Sequence, residues 1–409
     1  MAKENSPSII GIDFGARSSS AAFALDKATR RPLDQFPTSA EVESIVYYDM
    51  GLKVVGWSQD SDEIVSPEGR LKGGLYVMAD FKSRLYPPED YPEELQAVTL
   101  MRDKTEVDIA MDYLGQLRQS VLAQVESQVE KLGSAKRTFQ VMMTTPAFWN
   151  EEAKAKFREI ARNAGFMAEL DEKLEFVSTL EAAVLHAEYR DPPTFAVGKT
   201  FIVVDCGGSL VEAAAFEIKE KNPLRLERQT RVSVASCGST EVTRRFMKVA
   251  NSKLDRIRFR ELGRTKPRMR HRCKRQFEKE VLIGLGTTAF RVLPEALSSF
   301  WVADLMVEFD CPEADLVEGY MSFREDEVYP CFDFAIERTL GVVYDQITAL
   351  QGQDQQTNGC LLVGGFNNCL YYNRKVQTGI RSYSLAIIQP DYDPVAFAKG
   401  AVLSGLNGL

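Results

Sequence analysis

The pattern of apolar and polar positions divides the chain into two halves that begin alike. Each half opens on a β-branched, apolar segment that runs into aspartate and glycine, at residues 8–15 (SIIGIDFG) and 200–208 (TFIVVDCGG). Short apolar segments that end in turn residues predict buried strands. Alternating segments follow at residues 19–25 and 211–218 and predict the second arm of a hairpin. The two halves therefore form a weak internal repeat.

Several longer segments between these strands have helical periodicity. Their apolar residues recur at three- to four-residue spacing, which predicts amphipathic helices. The clearest of these segments are residues 108–131, 151–164, 179–188 and 326–350. Predicted strands at residues 138–145 and 359–363 alternate with them, so we predict a mixed α/β fold.

A turn-forming segment separates the two halves. Residues 189–199 contain two adjacent prolines and a glycine, a composition that favours a turn or a hinge. We therefore place the boundary near residue 196, with lobe I at residues 1–196 and lobe II at residues 197–409.

Composition and charge exclude several classes of protein. The 409 residues are 44% hydrophobic and 26% charged, which is enough to form a large core. The formal net charge of −8 argues against a surface built to neutralise nucleic acid, so any anion site is local. Only His186 and His271 are present, which excludes a histidine cluster for a metal site or a serine-histidine triad.

The cysteines and the N-terminal residues predict a cellular compartment. The 7 scattered cysteines include no CxxC pair of the kind that binds zinc, and their odd number favours a reducing environment. The first residues, MAKENSPSII, have neither a long apolar segment nor a cleavage-site pattern. We expect a cytoplasmic protein with no membrane and no nucleic acid among its partners.

Both opening strands end in residues suited to a triphosphate chelated to Mg²⁺. Glycine-rich turns let backbone N–H groups approach phosphates, and carboxylates hold the hydrated metal ion. The residues concerned are Asp13 with Gly11 and Gly15, and Asp205 with Gly207 and Gly208. Each motif alone is more often an ordinary turn, but their recurrence in both halves favours phosphate binding.

A third glycine turn follows another apolar strand. Residues 360–368 (CLLVGGFNN) contain Gly364 and Gly365, where the absence of side chains lets a flat ring approach the backbone. This turn is a candidate nucleoside pocket, and a tight strand-to-helix turn is its structural alternative.

The order of these three motifs resembles a known family. GIDFG, FIVVDCGG and LLVGGFNN resemble the phosphate-1, phosphate-2 and adenosine motifs of the actin-like ATPase superfamily, specifically the heat-shock protein 70 family. Residues 178–183 (STLEAA), 237–240 (CGST) and 393–406 resemble its connecting motif, its second glycine turn and its terminal helix. FGARSSS, CGST and VGGF are closest to the divergent twelve-type branch, common as stand-alone proteins in fungi.

The resemblance covers residues 8–406 and implies an actin-like ATPase fold. Two lobes, each built on a mixed β-sheet with helices, would close around ATP or ADP with Mg²⁺ in the cleft between them. We expect no C-terminal peptide-binding domain. An unidentified protein partner would instead bind a chaperone-like surface of the two lobes.

The resemblance also implies roles for individual residues. Asp13 and Asp205 would hold the Mg²⁺ ion through water. Glu181 would contribute to the same shell or to the attacking water, and Lys82 would face the γ-phosphate, where its charge stabilises phosphoryl transfer. The other nucleotide-binding positions would be Gly11, Gly15, Arg17, Ser18, Gly207, Gly208, Ser209, Gly238, Ser239, Thr240, Lys274, Arg275, Gly364, Gly365, Phe366 and Asn368.

Both phosphate loops depart from the family pattern. Ala16 and Arg17 stand where the first loop usually has two hydroxyl residues, and Ser209 and Leu210 replace a glycine and a threonine in the second. Leucine cannot hydrogen-bond a phosphate, whereas the guanidinium of Arg17 is able to bind a pair of phosphate oxygens. Loss of two contacts worth about 1–3 kcal/mol each predicts slow or lost ATP hydrolysis.

Other functions stay open beside this weak ATPase. One is a pseudo-ATPase scaffold, and another is a cleft repurposed to bind and transform a small organic molecule in secondary metabolism. The apolar side chains of Leu210 and Phe366 would suit the second. The basic segment at residues 268–279 contains Lys274 and Arg275. The alternative to a nucleotide-binding role for this segment is a solvated helix face.

Overall fold

A computed structural model describes most of the chain. The described residues are 8–24, 41–58, 75–89, 103–131, 139–167, 173–190, 196–257, 266–287 and 300–408. Residues 191–195 of the predicted hinge lie outside these ranges. Within them, no helix combines the length and the apolar character that crossing a membrane requires.

Strands and helices alternate along the chain, as predicted. The strands are β1 (Ser8–Phe14), β2 (Ser18–Ala24), β3 (Val42–Glu43), β4 (Val46–Tyr48), β5 (Val54–Trp57), β6 (Tyr76–Met78), β7 (Phe139–Thr145), β8 (Lys173–Ser178), β9 (Thr200–Cys206), β10 (Val211–Lys221), β11 (Leu224–Arg228), β12 (Ser233–Ala235), β13 (Trp301–Asp304), β14 (Leu316–Val317), β15 (Tyr320–Phe323), β16 (Cys360–Val363) and β17 (Ile387–Ile388). The helices are α1 (Lys82–Leu85), α2 (Glu106–Lys131), α3 (Glu151–Asn163), α4 (Thr179–Arg190), α5 (Ser239–Leu254), α6 (Lys266–Gln276), α7 (Leu282–Gly284), α8 (Glu325–Gln351), α9 (Leu370–Arg381) and α10 (Ala396–Asn407). A π-helical turn at Phe277–Val281 continues α6.

The first large sheet has the strand order β3-β2-β1-β7-β8. β1 pairs antiparallel with β2 and parallel with β7, so the predicted hairpin is confirmed. Helices α2 and α3 cover one face, where the rings of Tyr113 and Phe157 stack on Phe14. Helix α10 covers the other face, where Ala398 and Val402 pack on the sheet.

The second large sheet has the strand order β11-β10-β9-β16-β17, with β12 also paired to β10. β9 pairs antiparallel with β10 and parallel with β16, which confirms the second predicted hairpin. Helices α5 and α8 cover one face through Phe246 and Phe332. Leu180 and Val184 of α4 pack on the other face. The protein is therefore an α/β protein with two mixed sheets, each packed with helices.

The two large sheets share one local arrangement at their centres. In each, a seven-residue strand has an antiparallel hairpin partner on one side and a parallel strand on the other. Asp13 and Asp205 occupy the sixth position of these two strands. The internal repeat in the sequence thus places both aspartates at equivalent ends of equivalent strands. Two three-stranded sheets, β5-β4-β6 and β13-β15-β14, complete the described strands.

Helices α4 and α10 cross between the two large sheets at very short range. A Cβ atom added at Gly400 of α10 would collide with the backbone of Ala182 in α4. The three nearest atoms all belong to the Ala182 backbone and cannot rotate away, so the crossing requires a glycine, which has no side chain. This contact joins the helix that packs on the first sheet to the helix that packs on the second.

All seven cysteines are described, and each is a buried free thiol. Burial raises the pKa of the Cys206 and Cys273 thiols to about 12 and that of Cys369 to about 11. Thiols in such surroundings stay protonated and unreactive at neutral pH.

Candidate functional site

The carboxyl ends of β1 and β9 open into one cleft with a volume of about 1410 Å³. Residues of α4, of α6 and of the turn after β16 complete its walls. The structure thus brings together most of the predicted site residues. Those that line the cleft are Asp13, Gly15, Arg17, Ser18, Lys82, Asp205, Gly207, Gly208, Ser209, Ser239, Thr240, Lys274, Arg275, Gly364, Gly365, Phe366 and Asn368.

Three predicted site residues do not line the cleft. Glu181 and Ser178 form a capping box at the start of α4, in which Ser178 N donates to Glu181 Oε2 at 3.3 Å and Glu181 N donates to Ser178 Oγ at 3.1 Å. Ser178 Oγ also donates to Glu181 Oε2 at 2.6 Å. Gly11 lies against the backbone of Ala398 in α10, and Gly238 lies beneath the loop at Gly208. The structure therefore gives Glu181 a helix-capping role, and its predicted contact with the metal shell stays a prediction.

Asp13 and Lys82 form the first part of an enclosed charged cluster. Thr144 Oγ1 donates to Asp13 Oδ1 at 2.5 Å, and Lys82 Nζ donates to the carbonyl oxygen of Phe14. Burial raises the pKa of Asp13, although the Lys82 charge and the Thr144 hydrogen bond oppose it. Burial lowers the pKa of Lys82, and the charges of Asp13, Glu212 and Asp205 oppose that shift.

Glu212 completes the cluster from the opposite strand. The register of the β9–β10 hairpin places Glu212 directly across from Asp205. Burial, the Glu212 charge and the Asp13 charge raise the pKa of Asp205 well above its usual value. Burial also raises the pKa of Glu212, although its Oε2 accepts hydrogen bonds from Ala147 N at 3.0 Å and Thr179 Oγ1 at 3.1 Å. Three carboxyl groups thus share a single ammonium group.

Several oxygens of this cluster have no hydrogen-bond partner among the described residues. They are Asp205 Oδ1, Glu212 Oε1 and Ser209 Oγ, and each is buried. Two of these oxygens belong to carboxyl groups, and Mg²⁺ is usually bound in proteins through one or two carboxylates and several waters, so the cluster fits a hydrated divalent cation. Within the described ranges, no group of three or more His, Cys, Asp or Glu side chains is arranged to hold a metal ion directly.

Backbone hydrogen bonds fasten the loop after β9 to the start of α5. Gly238 N donates to Ser209 O at 3.1 Å, and Thr240 N donates to Gly208 O at 2.7 Å. A Cβ at Gly208 would lie 2.9 Å from the Cβ of Arg17, so the two predicted phosphate loops face each other at close range. Any anion between them would contact both halves of the chain.

Two ion pairs span the mouth of the cleft. Arg17 Nη2 lies 3.5 Å from Glu278 Oε1, and Arg275 Nη1 lies 3.3 Å from Glu43 Oε1. Each pair joins a residue near the first sheet to a residue on α6 or its π-helical continuation. Both arginines that were predicted to bind the nucleotide are therefore already paired with carboxylates.

The turn after β16 presents bare backbone to the cleft. Gly364 has a φ of +93°, and a side chain there would collide with Asp205 and Cys206, so the position requires glycine. A Cβ at Gly365 would meet nothing within 4 Å. The ring of Phe366 stacks on Tyr372 with a centroid separation of 3.8 Å and thus packs into the core. A flat ligand would therefore contact Gly365 and not an exposed phenyl ring.

Neither protein-family models nor curated proteins match the chain. The functional conclusion accordingly depends on the cleft itself and on the resemblance of its motifs.

Thr144, Thr179 and Glu212 were not predicted from the sequence as residues of the site. The signal for Glu212 was present, since a tight hairpin that follows Asp205 fixes which residue of β10 lies opposite it. Thr144 reaches Asp13 only because β7 is parallel to β1, and no local pattern indicates that pairing.

Proposed function

We propose that the protein has the actin-like ATPase fold and binds ATP or ADP with Mg²⁺ in its cleft. The observation that carries the proposal is the convergence of Asp13 and Asp205, which lie near the ends of equivalent strands, with Lys82 of α1 and Glu212 of β10. Acidic groups this close in an enclosed site are stabilised by a bound cation, and the glycine turns beside them suit phosphate oxygens.

The fold supports the proposal through its symmetry. Each large sheet carries the same hairpin and parallel neighbour, and the helices α4 and α10 cross between them. A ligand that contacts Asp13 from one sheet and Asp205 from the other would draw the two halves together. We therefore propose that nucleotide binding changes the opening of the cleft, which a partner protein reads.

Each residue of the site has a distinct task in this proposal. Asp13, Asp205 and Glu212 hold the waters of the metal ion, and Lys82 and Arg17 neutralise phosphate oxygens. Mg²⁺, when bound, adds positive charge to the phosphates. The glycine turn at Gly365 accommodates the adenine ring.

We propose that ATP turnover is slow or absent. Glu181, the residue that the resemblance assigns to the attacking water, is engaged by Ser178 at the start of α4. Leu210 belongs to the second phosphate loop and lines the cleft, but its side chain cannot hydrogen-bond a phosphate. Binding without efficient hydrolysis would make the protein a nucleotide switch of low turnover.

Calorimetric titration tests the proposal. Nucleotide-stripped protein is expected to bind ATP with Mg²⁺ at micromolar affinity, and the double variant Asp13→Ala, Asp205→Ala is expected to show no binding. Thermal unfolding of the variant controls for loss of structure. Absence of binding by the folded wild-type protein would reject the proposal.

Glu278 is expected to compete with the nucleotide for Arg17. The Arg17 side chain is 37% exposed, and exposed ion pairs of this kind contribute about 0.2–1 kcal/mol. Glu278→Gln should therefore raise the affinity for ATP and for inorganic tripolyphosphate by up to about fivefold. Glu337→Gln, the same charge change on the exposed surface of α8, is the matched control. Equal effects of both variants would mean that only net charge matters.

A second candidate function is the binding of a non-nucleotide organic molecule. Phe148, Trp149, Leu210 and Phe397 line the same cleft, and their apolar surfaces favour such a ligand. This candidate predicts that small apolar compounds, and not ATP, raise the melting temperature of the wild-type protein.

A further inference from the structure

A histidine and an aspartate from distant parts of the chain pair beside the cleft. His186 of α4 places Nε2 at 3.2 Å from Oδ2 of Asp393, and the imidazole is only 4% exposed. Lys399 Nζ lies 2.9 Å from the same Oδ2, and Val395 N donates to Oδ1 at 2.9 Å. Asp393 is thus held in one orientation by three donors.

This arrangement fixes which imidazole nitrogen carries the proton. Burial favours the neutral form of Asp393, but the hydrogen bonds from His186, Lys399 and Val395 outweigh it and hold its pKa well below the usual value. Because the ionised Asp393 only accepts hydrogen bonds, Nε2 carries the proton in the neutral imidazole of His186, which leaves Nδ1 as an acceptor. Within the described part of the chain, Nδ1 has no hydrogen-bond partner.

His186 faces the same cleft as the charged cluster. Thr179, Ala183 and His186 all line the cleft, and their spacing of four and three residues places them on one face of α4. Thr179 contacts Glu212 at the phosphate end. A rise of 1.5 Å per residue places His186 about 10 Å farther along the helix.

The partner of His186 is adjacent to the candidate adenosine loop. Tyr392, which precedes Asp393, hydrogen-bonds to Asn368 of that loop and to Glu41. His186 therefore lies between the phosphate end of the cleft and the turn that would hold the adenine ring. In the proposed nucleotide site, the ribose would occupy this intermediate position.

We propose that His186, oriented by Asp393, accepts a hydrogen bond from a ribose hydroxyl and so favours ribonucleotides over deoxyribonucleotides. The inference rests on the proposed nucleotide function and adds a specificity residue to it. A hydroxyl donor satisfies Nδ1, whereas a deoxyribose leaves an enclosed acceptor without a partner. Ala183 and Phe397, which line the same cleft, have apolar side chains that offer no competing donor.

Titration with ATP, 2′-deoxy-ATP and 3′-deoxy-ATP in the presence of Mg²⁺ tests the inference. The wild-type protein is expected to bind ATP roughly three- to tenfold more tightly than one of the deoxy analogues. His186→Phe, which keeps a ring but has no acceptor, should bind ATP and that analogue equally. Asp393→Asn removes the orienting charge and should reduce the preference in the same direction.

Titration with inorganic tripolyphosphate and Mg²⁺ distinguishes a role of His186 in ribose recognition from a role in maintaining the structure of the cleft. It has no ribose, so His186→Phe should leave its affinity unchanged, whereas a distorted cleft would weaken all ligands together. The inference is overturned if the wild-type protein binds ATP and both analogues equally, or if His186→Phe keeps the preference or loses tripolyphosphate binding. Failure of the wild-type protein to bind ATP would instead reject the proposed function on which the inference rests.

Discussion

Asp205→Asn is expected to stabilise the ligand-free protein while it abolishes binding of ATP with Mg²⁺. Asp205 is enclosed with Glu212 and Asp13 and has one unpaired oxygen, so its ionised form is unfavourable in the folded state. An asparagine of the same shape removes the charge. We expect the free energy of unfolding at neutral pH to rise by about 1–3 kcal/mol.

The same carboxyl groups predict how the free energy of unfolding changes with pH. Because the pKa values of Asp13, Asp205 and Glu212 are raised in the folded state, the folded chain binds more protons than the unfolded chain above the usual carboxyl pKa. The ligand-free protein should therefore gain stability as the pH falls from neutral through the raised values. Asp205→Asn should flatten this dependence, measured by chemical denaturation at a series of pH values without Mg²⁺.

Asp393→Asn is the matched control, since it removes a carboxylate whose pKa is lowered in the folded state. Its contribution to stability is present above the usual aspartate pKa and is lost as the pH falls through the lowered value. This variant should therefore be less stable than the wild type at neutral pH. If Asp205→Asn also lowered the free energy of unfolding at neutral pH, the claim that ionised Asp205 destabilises the ligand-free fold would be disproved.

Gly400→Ala is expected to lower the free energy of unfolding by an amount at the upper end of the range of about 1–3 kcal/mol. The added methyl group would collide with the backbone of Ala182, and separating α4 from α10 would loosen the packing of both large sheets. Thermal and chemical unfolding measure the effect. Nucleotide affinity should fall as well, because Thr179 and His186 are on the displaced helix.

Gly341→Ala on α8 isolates the contribution of helix propensity. A Cβ at Gly341 meets nothing within 4 Å, so only the better helix propensity of alanine remains. This variant should be stabilised by about 0.5–1 kcal/mol. Comparable changes in the two variants would show that the α4–α10 crossing tolerates a side chain.

The sequence predicted the strands and helices well because their signals are local. The two hairpins follow from apolar segments that end in aspartate and glycine, and both are confirmed by their registers. Glu181 shows that one local pattern supports two different assignments. Serine followed three residues later by glutamate is a capping box, and this pattern at residues 178–181 competed with the assignment of Glu181 to the metal shell.

Contacts between distant segments were beyond prediction because no spacing encodes them. His186 and Asp393 are brought together only by the crossing of α4 and α10, and Arg17 meets Glu278 only through the relative position of the two sheets. The π-helical turn that carries Glu278 likewise has no recognisable sequence pattern.

The burial of every native thiol makes the chain suitable for fluorescent labelling at chosen places. Val77 and Ile283 line the cleft from opposite halves, and they are 38% and 58% exposed. Cysteines introduced at these two positions would react with dyes while the native ones remain protected. Energy transfer between a donor dye and an acceptor dye would then follow the opening and closing of individual molecules over time.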